Sequence, residues 1–120
     1  PAAGTSERYK VQDWLSFIGS ELHKNLPPMF LPNIPEDYRP VARARLEVRL
    51  NYMNEELEGK HYLMGDRFTV ADCYATAILN WTKPANYDLS AHPNVKAYYE
   101  RCCARDSVKA AKAAEEAAAA

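Results

Sequence analysis

No apolar run in this 120-residue chain approaches the length of a membrane span. The N-terminus also lacks the charged, apolar and cleavage regions of a signal peptide, so a cytoplasmic protein is expected. Charge of one sign is never concentrated. The 15 Lys and Arg alternate with 16 Asp and Glu, which argues against a basic face for nucleic acid. Cysteine is scarce and has no ligand pattern. Cys73, Cys102 and Cys103 show neither CxxC nor Cys/His spacing and fall at helical positions, so core thiols are expected and a metal site is not. No segment reads convincingly as a strand. What is present, 48% hydrophobic and 26% charged residues, suits a single all-α domain over residues 1–120.

The most informative run is Gly65-Asp66-Arg67-Phe68-Thr69-Val70-Ala71-Asp72. A glycine turn leads to Thr69, whose hydroxyl is placed to accept from the N–H of Asp72, while the Asp72 carboxylate reaches back to the N–H of Thr69. This is a capping box with Asp in the usual Glu/Gln role. Phe68, just outside it, is placed to staple against Cys73, and the Asp suits the positive end of the helix dipole. Thr69 and Asp72 are therefore assigned to folding. The next residues, Cys73 to Trp81, are apolar or small nearly all round, the mark of a helix enclosed by others.

Periodicity predicts a first helix from about Thr5 to Lys24, with Val11, Trp14, Leu15, Ile18 and Leu22 on its core face. Ser16, Ser20 and His23 share another side with Gly19 at its edge, a small polar surface open to a neighbour. Lys24, at the C-terminal end, complements the helix dipole. The proline-rich stretch Asn25 to Pro35 breaks the chain. A second helix is predicted from about Arg39 to Leu57, with Ala42, Leu46, Leu50, Met53 and Leu57 buried, Gly59 as its stop, and Arg43 and Glu47 spaced for an ion pair. Pro84 ends the capped helix. Pro93 opens another, carrying Val95, Tyr98, Tyr99 and Cys102. A last, alanine-rich helix begins near Ser107 and is weakly anchored. On residues alone, His23 packs at a helix end, and Tyr74 and Trp81, seven positions apart on one face, are core aromatics.

Four stretches together change that weighting: Trp14 to Ile18 running on through Ser20-Glu21-Leu22-His23-Lys24; Tyr62 to Asp72; Trp81; and His92-Pro93-Asn94-Val95-Lys96-Ala97-Tyr98-Tyr99. The chain resembles, over essentially its whole length, the all-helical C-terminal domain of a bacterial glutathione S-transferase, closest to the beta class. The resemblance implies a bundle of about five to six helices. The opening Pro1-Ala2-Ala3-Gly4 matches the linker at which such enzymes pass from one domain to the other. Their glutathione is held mainly by an N-terminal thioredoxin-like domain, and no βαβ pattern for it is present here.

The resemblance implies glutathione as co-substrate, a small hydrophobic electrophile, a homodimer, and a thioredoxin-like domain as partner. His23 and Lys24 match the family's His and Lys near the sulfur, where a cation or an imidazole N–H favours thiolate over thiol. Tyr74 and Trp81 match aromatics beside the electrophile. Ser16 stands where relatives often carry an Asn that contacts the glutathione of the adjacent subunit, a contact the shorter side chain makes only through water. By itself the chain is expected to be inactive in conjugation. A non-enzymatic alternative stays open, since the same fold serves as an assembly module whose helix surfaces bind partners. Retention of His23, Lys24, Tyr74 and Trp81 together favours the enzyme.

Overall fold

The computed structural model describes residues 1–120, and its regular elements are five α-helices joined by short 3-10 turns. Helix α1 spans Ser6–Phe17, α2 Arg39–Glu56, α3 Val70–Leu79, α4 Pro93–Cys103 and α5 Asp106–Ala119. Strand pairing is confined to one isolated bridge, Tyr62 with Gly65. Thr5 caps α1 by accepting from the Arg8 N–H at 3.3 Å.

The first helix does not run regularly to Lys24. At Ile18–Leu22 it widens into a π-turn, closed by the His23 N–H on the Ile18 carbonyl at 2.8 Å. Such a turn admits an extra residue and rotates the downstream side chains about the helix axis. Outside contacts stabilise it here: Arg49 of α2 pairs with Glu21, and the Asn25 side-chain amide donates to the Glu21 carbonyl. Periodicity cannot reveal a one-residue insertion that tertiary contacts hold in place.

The stripe of α2 is buried as expected, with Ala42, Leu46, Leu50 and Met53 inside and Leu57 just beyond the helix end. Arg43 does not pair with Glu47. Its guanidinium lies 4.8 Å from the centre of the Tyr87 ring, where an aromatic face competes well with an exposed carboxylate. Pro93 takes the first turn of α4, and the orphan N–H groups beside it are served from α2: Asn54 Oδ1 accepts from Asn94 at 2.8 Å and from Val95 at 3.3 Å. That cap links two helices forty residues apart in sequence.

Helix α3 sits between α1 and α4. It is not enclosed all round. Val70, Cys73 and Ala77, at i, i+3 and i+7, are exposed, while Ala71, Asp72, Ala75, Thr76, Ile78 and Leu79 are buried. Cys73 is therefore no core thiol, because its face of α3 meets a cleft instead of a neighbouring helix. Cys102 is fully buried and Cys103 half-buried. No group of three or more His, Cys, Asp or Glu side chains is placed to hold a metal ion, and no helix is long and apolar enough to cross a membrane. Helix α5 buries no residue fully, in line with its weak predicted anchorage. Its holds are Lys112, which donates to the Cys103 sulfur at 3.2 Å, and Val108, half-buried.

Candidate functional site

Two faces of α3 carry polar chemistry. At the N-terminal end the capping box forms: Asp72 Oδ2 accepts from the Thr69 N–H at 2.8 Å, and the Thr69 hydroxyl turns to the first-turn N–H groups, meeting that of Ala71 at 3.3 Å. The carboxylate does more than cap. Asp72 Oδ1 also accepts from the Leu63 N–H at 3.0 Å and from the Tyr98 hydroxyl at 2.8 Å, all with Asp72 fully buried. Burial, and then the Asp72 charge, push the Tyr98 phenol far above its ordinary range. These two extra donors hold the turn before α3 and the middle of α4 to the same carboxylate.

The face of α3 that runs from Tyr74 to Trp81 assembles three of the residues singled out from the sequence. The π-turn delivers His23 to Tyr74, and His23 Nδ1 lies 2.6 Å from the Tyr74 hydroxyl. Trp81 stands edge-to-face on the imidazole at 4.9 Å between centroids. It belongs to the 3-10 turn Asn80–Thr82, since α3 tightens after Leu79, yet it still shares the face of Tyr74. Phe30, from the proline-rich connection, closes on Trp81 at 6.1 Å. His23, Tyr74, Trp81 and Phe30 are all half-buried and pack on one another as an aromatic cluster with one imidazole in it. Proline-rich breaks carry no periodicity, so the sequence holds no signal for Phe30.

Lys24 and Ser16 are not gathered into this group. Lys24 is exposed and makes no ion pair, and Ser16 is exposed with its carbonyl accepting from the Ser20 hydroxyl at 2.8 Å. Beyond Trp81 a cleft of about 380 Å³ opens between α3 and α5, bordered by Phe68, Cys73, Ala77, Val108 and Lys112 among others. Phe68 has its partners there in Tyr62, edge-on at 5.4 Å, and in the Arg105 guanidinium at 4.1 Å. Chemically, the arrangement offers edge-to-face aromatic rings and an imidazole whose Nε2 makes no hydrogen bond within the chain.

The fold is an all-α bundle whose central helix is started by a buried Thr/Asp box and carries a histidine-aromatic cluster on another face. The family described as glutathione S-transferase, C-terminal domain, matches residues 17–106, and the chain belongs to that family. Among curated relatives it is 41% identical over 108 residues to glutathione S-transferase GstA of Escherichia coli O157:H7, covering 90% of this chain and 54% of that protein. The chain thus spans about half the length of the curated relatives it matches. Among solved structures it superposes on the ternary complex of BphK, a bacterial GST, with a TM-score of 0.93 at 40% identity, covering 97% of this chain and 58% of that one. The bacterial beta class glutathione S-transferase of Sphingomonas chungbukensis gives 0.87 at 39% identity, covering 96% of this chain and 57% of that one.

Proposed function

We propose that this chain forms the electrophile-binding and dimer-forming part of a cytoplasmic glutathione transferase, in which the glutathione thiolate attacks a small hydrophobic electrophile. The reading is carried by the cluster in which His23, Tyr74, Trp81 and Phe30 converge, with Trp81 also bordering the cleft beside α5. Trp81 and Phe30 supply an apolar wall for the electrophile. His23 supplies an N–H close to the sulfur, which favours thiolate over thiol, and Lys24, free of any ion pair, adds positive charge from the rim. Glutathione itself is held mainly by a thioredoxin-like partner domain. Ser16 reaches the glutathione of an adjacent subunit only through water.

The homodimer reading rests on a stripe along α2, where Val41, Val48 and Tyr52 are 44%, 57% and 46% exposed. Apolar side chains at that spacing on one helix face form a contiguous patch suited to a second subunit. Two measurements test the function. The 120-residue chain alone should show no glutathione conjugation of an aromatic halide above the uncatalysed rate, and turnover by the purified chain would overturn the need for a partner domain. In a two-domain protein containing this chain, His23→Ala should lower kcat/KM about tenfold, near 1.4 kcal/mol of transition-state stabilisation. An unchanged kcat/KM for several electrophiles would return His23 to a packing role.

A further inference from the structure

We propose that Tyr74 is a positioning residue for His23: its hydroxyl donates to Nδ1 and fixes the imidazole in the tautomer that carries its proton on Nε2. This deepens the transferase reading of the same pocket and rests on it. The 2.6 Å separation between Tyr74 Oη and His23 Nδ1 is a short hydrogen bond, and a neutral imidazole offers one donor nitrogen and one acceptor nitrogen. Of the two possible polarities, O–H···N is the stronger. A phenol oxygen shares its lone pair with the ring and accepts poorly, whereas the bare imidazole nitrogen keeps an in-plane lone pair.

Both rings are packed. The Tyr74 ring stands edge-to-face with the imidazole, 5.8 Å between centroids and 86° between planes. Trp81 stands at 79° to the imidazole plane, and turning the His23 ring over would break the Tyr74 bond against that wall. The consequence concerns the other nitrogen. With Nδ1 occupied as acceptor, Nε2 carries the hydrogen and presents a donor to an anionic sulfur. In the opposite tautomer Nε2 presents a lone pair, which repels a thiolate. Tyr74 therefore acts through His23, and its ring need not touch the electrophile.

The tautomer is read directly from long-range proton–nitrogen correlations of the chain labelled with 15N-histidine, with no variant required. We expect His23 Nδ1 in the unprotonated range and Nε2 in the protonated range at a pH where the ring is neutral. The reverse pattern, or rapid averaging of the two, overturns the proposal. Tyr74→Phe should convert the fixed pattern into an averaged one, and an unchanged pattern overturns it equally. In the two-domain protein, Tyr74→Phe should lower kcat roughly tenfold with KM for the electrophile unchanged. A raised KM with kcat unchanged would make Tyr74 a wall residue and overturn the positioning role. A fixed Nε2–H tautomer combined with a fully active His23→Ala variant would retire the transferase role of His23, leaving the Tyr74–His23 assignment standing.

Discussion

Two faces of α3 solve opposite problems with the same kinds of side chain. At its start, Asp72 is sealed from water and bound by the Thr69 N–H, the Leu63 N–H and the Tyr98 hydroxyl. On the other face, His23 is half-buried and makes a single side-chain hydrogen bond, to Tyr74. Each face pairs a tyrosine with a titratable group at nearly the same distance, 2.8 Å in one case and 2.6 Å in the other. Yet one pairing is closed and the other leaves a nitrogen without a partner in the chain. A buried polar group with every partner in place stabilises the fold, whereas one left with free hydrogen-bonding capacity at a surface is available to a ligand. The comparison separates residues that hold α3 from residues that use it.

The largest effect should come from Asp72→Ala, which strips an acceptor from three buried or half-buried donors at once and leaves the Tyr98 hydroxyl and Leu63 N–H without partners. We expect a loss of about 3–5 kcal/mol, measured by urea denaturation, because orphaned buried donors cost more than the bonds themselves contribute. Tyr98→Phe keeps the packing and removes one bond to a charged acceptor, for an expected loss of about 2 kcal/mol. Thr69→Ala should cost about 1 kcal/mol as a lost N-cap. Since Thr69 and Asp72 satisfy one another, the double variant should lose less than the sum of the single losses. Additive losses would show that the box is not a unit.

The capped start of α3 was legible because its signals are local: Thr69 and Asp72 are three residues apart, and the stripe of α2 repeats within one helix. What was hidden is long-range. Nothing in the run Gly65 to Asp72 tells that Tyr98, twenty-six residues on, ends at the same carboxylate, or that Asn54 caps α4 from forty residues away. The cluster was legible only in part: Lys24 and Ser16 stand apart from it, and Phe30 left no signal. His23, Tyr74 and Trp81 do converge, but the π-turn that aims His23 depends on Arg49 and Asn25 gripping Glu21, and helical spacing is silent about such a turn. Cys73 shows the converse error. A small, apolar run reads as enclosed even where one face of the helix looks onto a cleft.

His92 offers a smaller test of the same contrast, since it is buried like Asp72 but incompletely satisfied. Its Nε2 meets the Tyr87 hydroxyl at 2.8 Å while Nδ1 has no partner. Burial pushes its pKa below the ordinary value, and the Glu47 carboxylate only partly offsets this. A depressed folded-state pKa means that folding favours the neutral ring. Its contribution should therefore be complete above the unfolded value of about 6.5, decline as pH falls through that value, and level off below the folded-state pKa. Thermal melts between neutral and mildly acidic pH read this directly. His92→Gln should flatten the decline, and an unchanged pH slope would assign it to other groups.

The smallest effect on stability, and the sharpest test of the comparison, is expected from Tyr74→Phe. It is the same chemical change as Tyr98→Phe, at a hydrogen bond of similar length, on the opposite face of α3. The two should differ because of what is left behind. Removing the Tyr98 hydroxyl takes a donor from a buried carboxylate that no water can reach, whereas half-buried His23 can replace its lost partner with solvent. We expect Tyr74→Phe to cost less than about 1 kcal/mol in urea melts, the net worth of one neutral hydrogen bond. A loss equal to that of Tyr98→Phe would break the contrast, making the Tyr74–His23 bond part of the scaffold. A small loss accompanied by a changed His23 tautomer would show that the bond sets the chemistry of the pocket and not the stability of the fold.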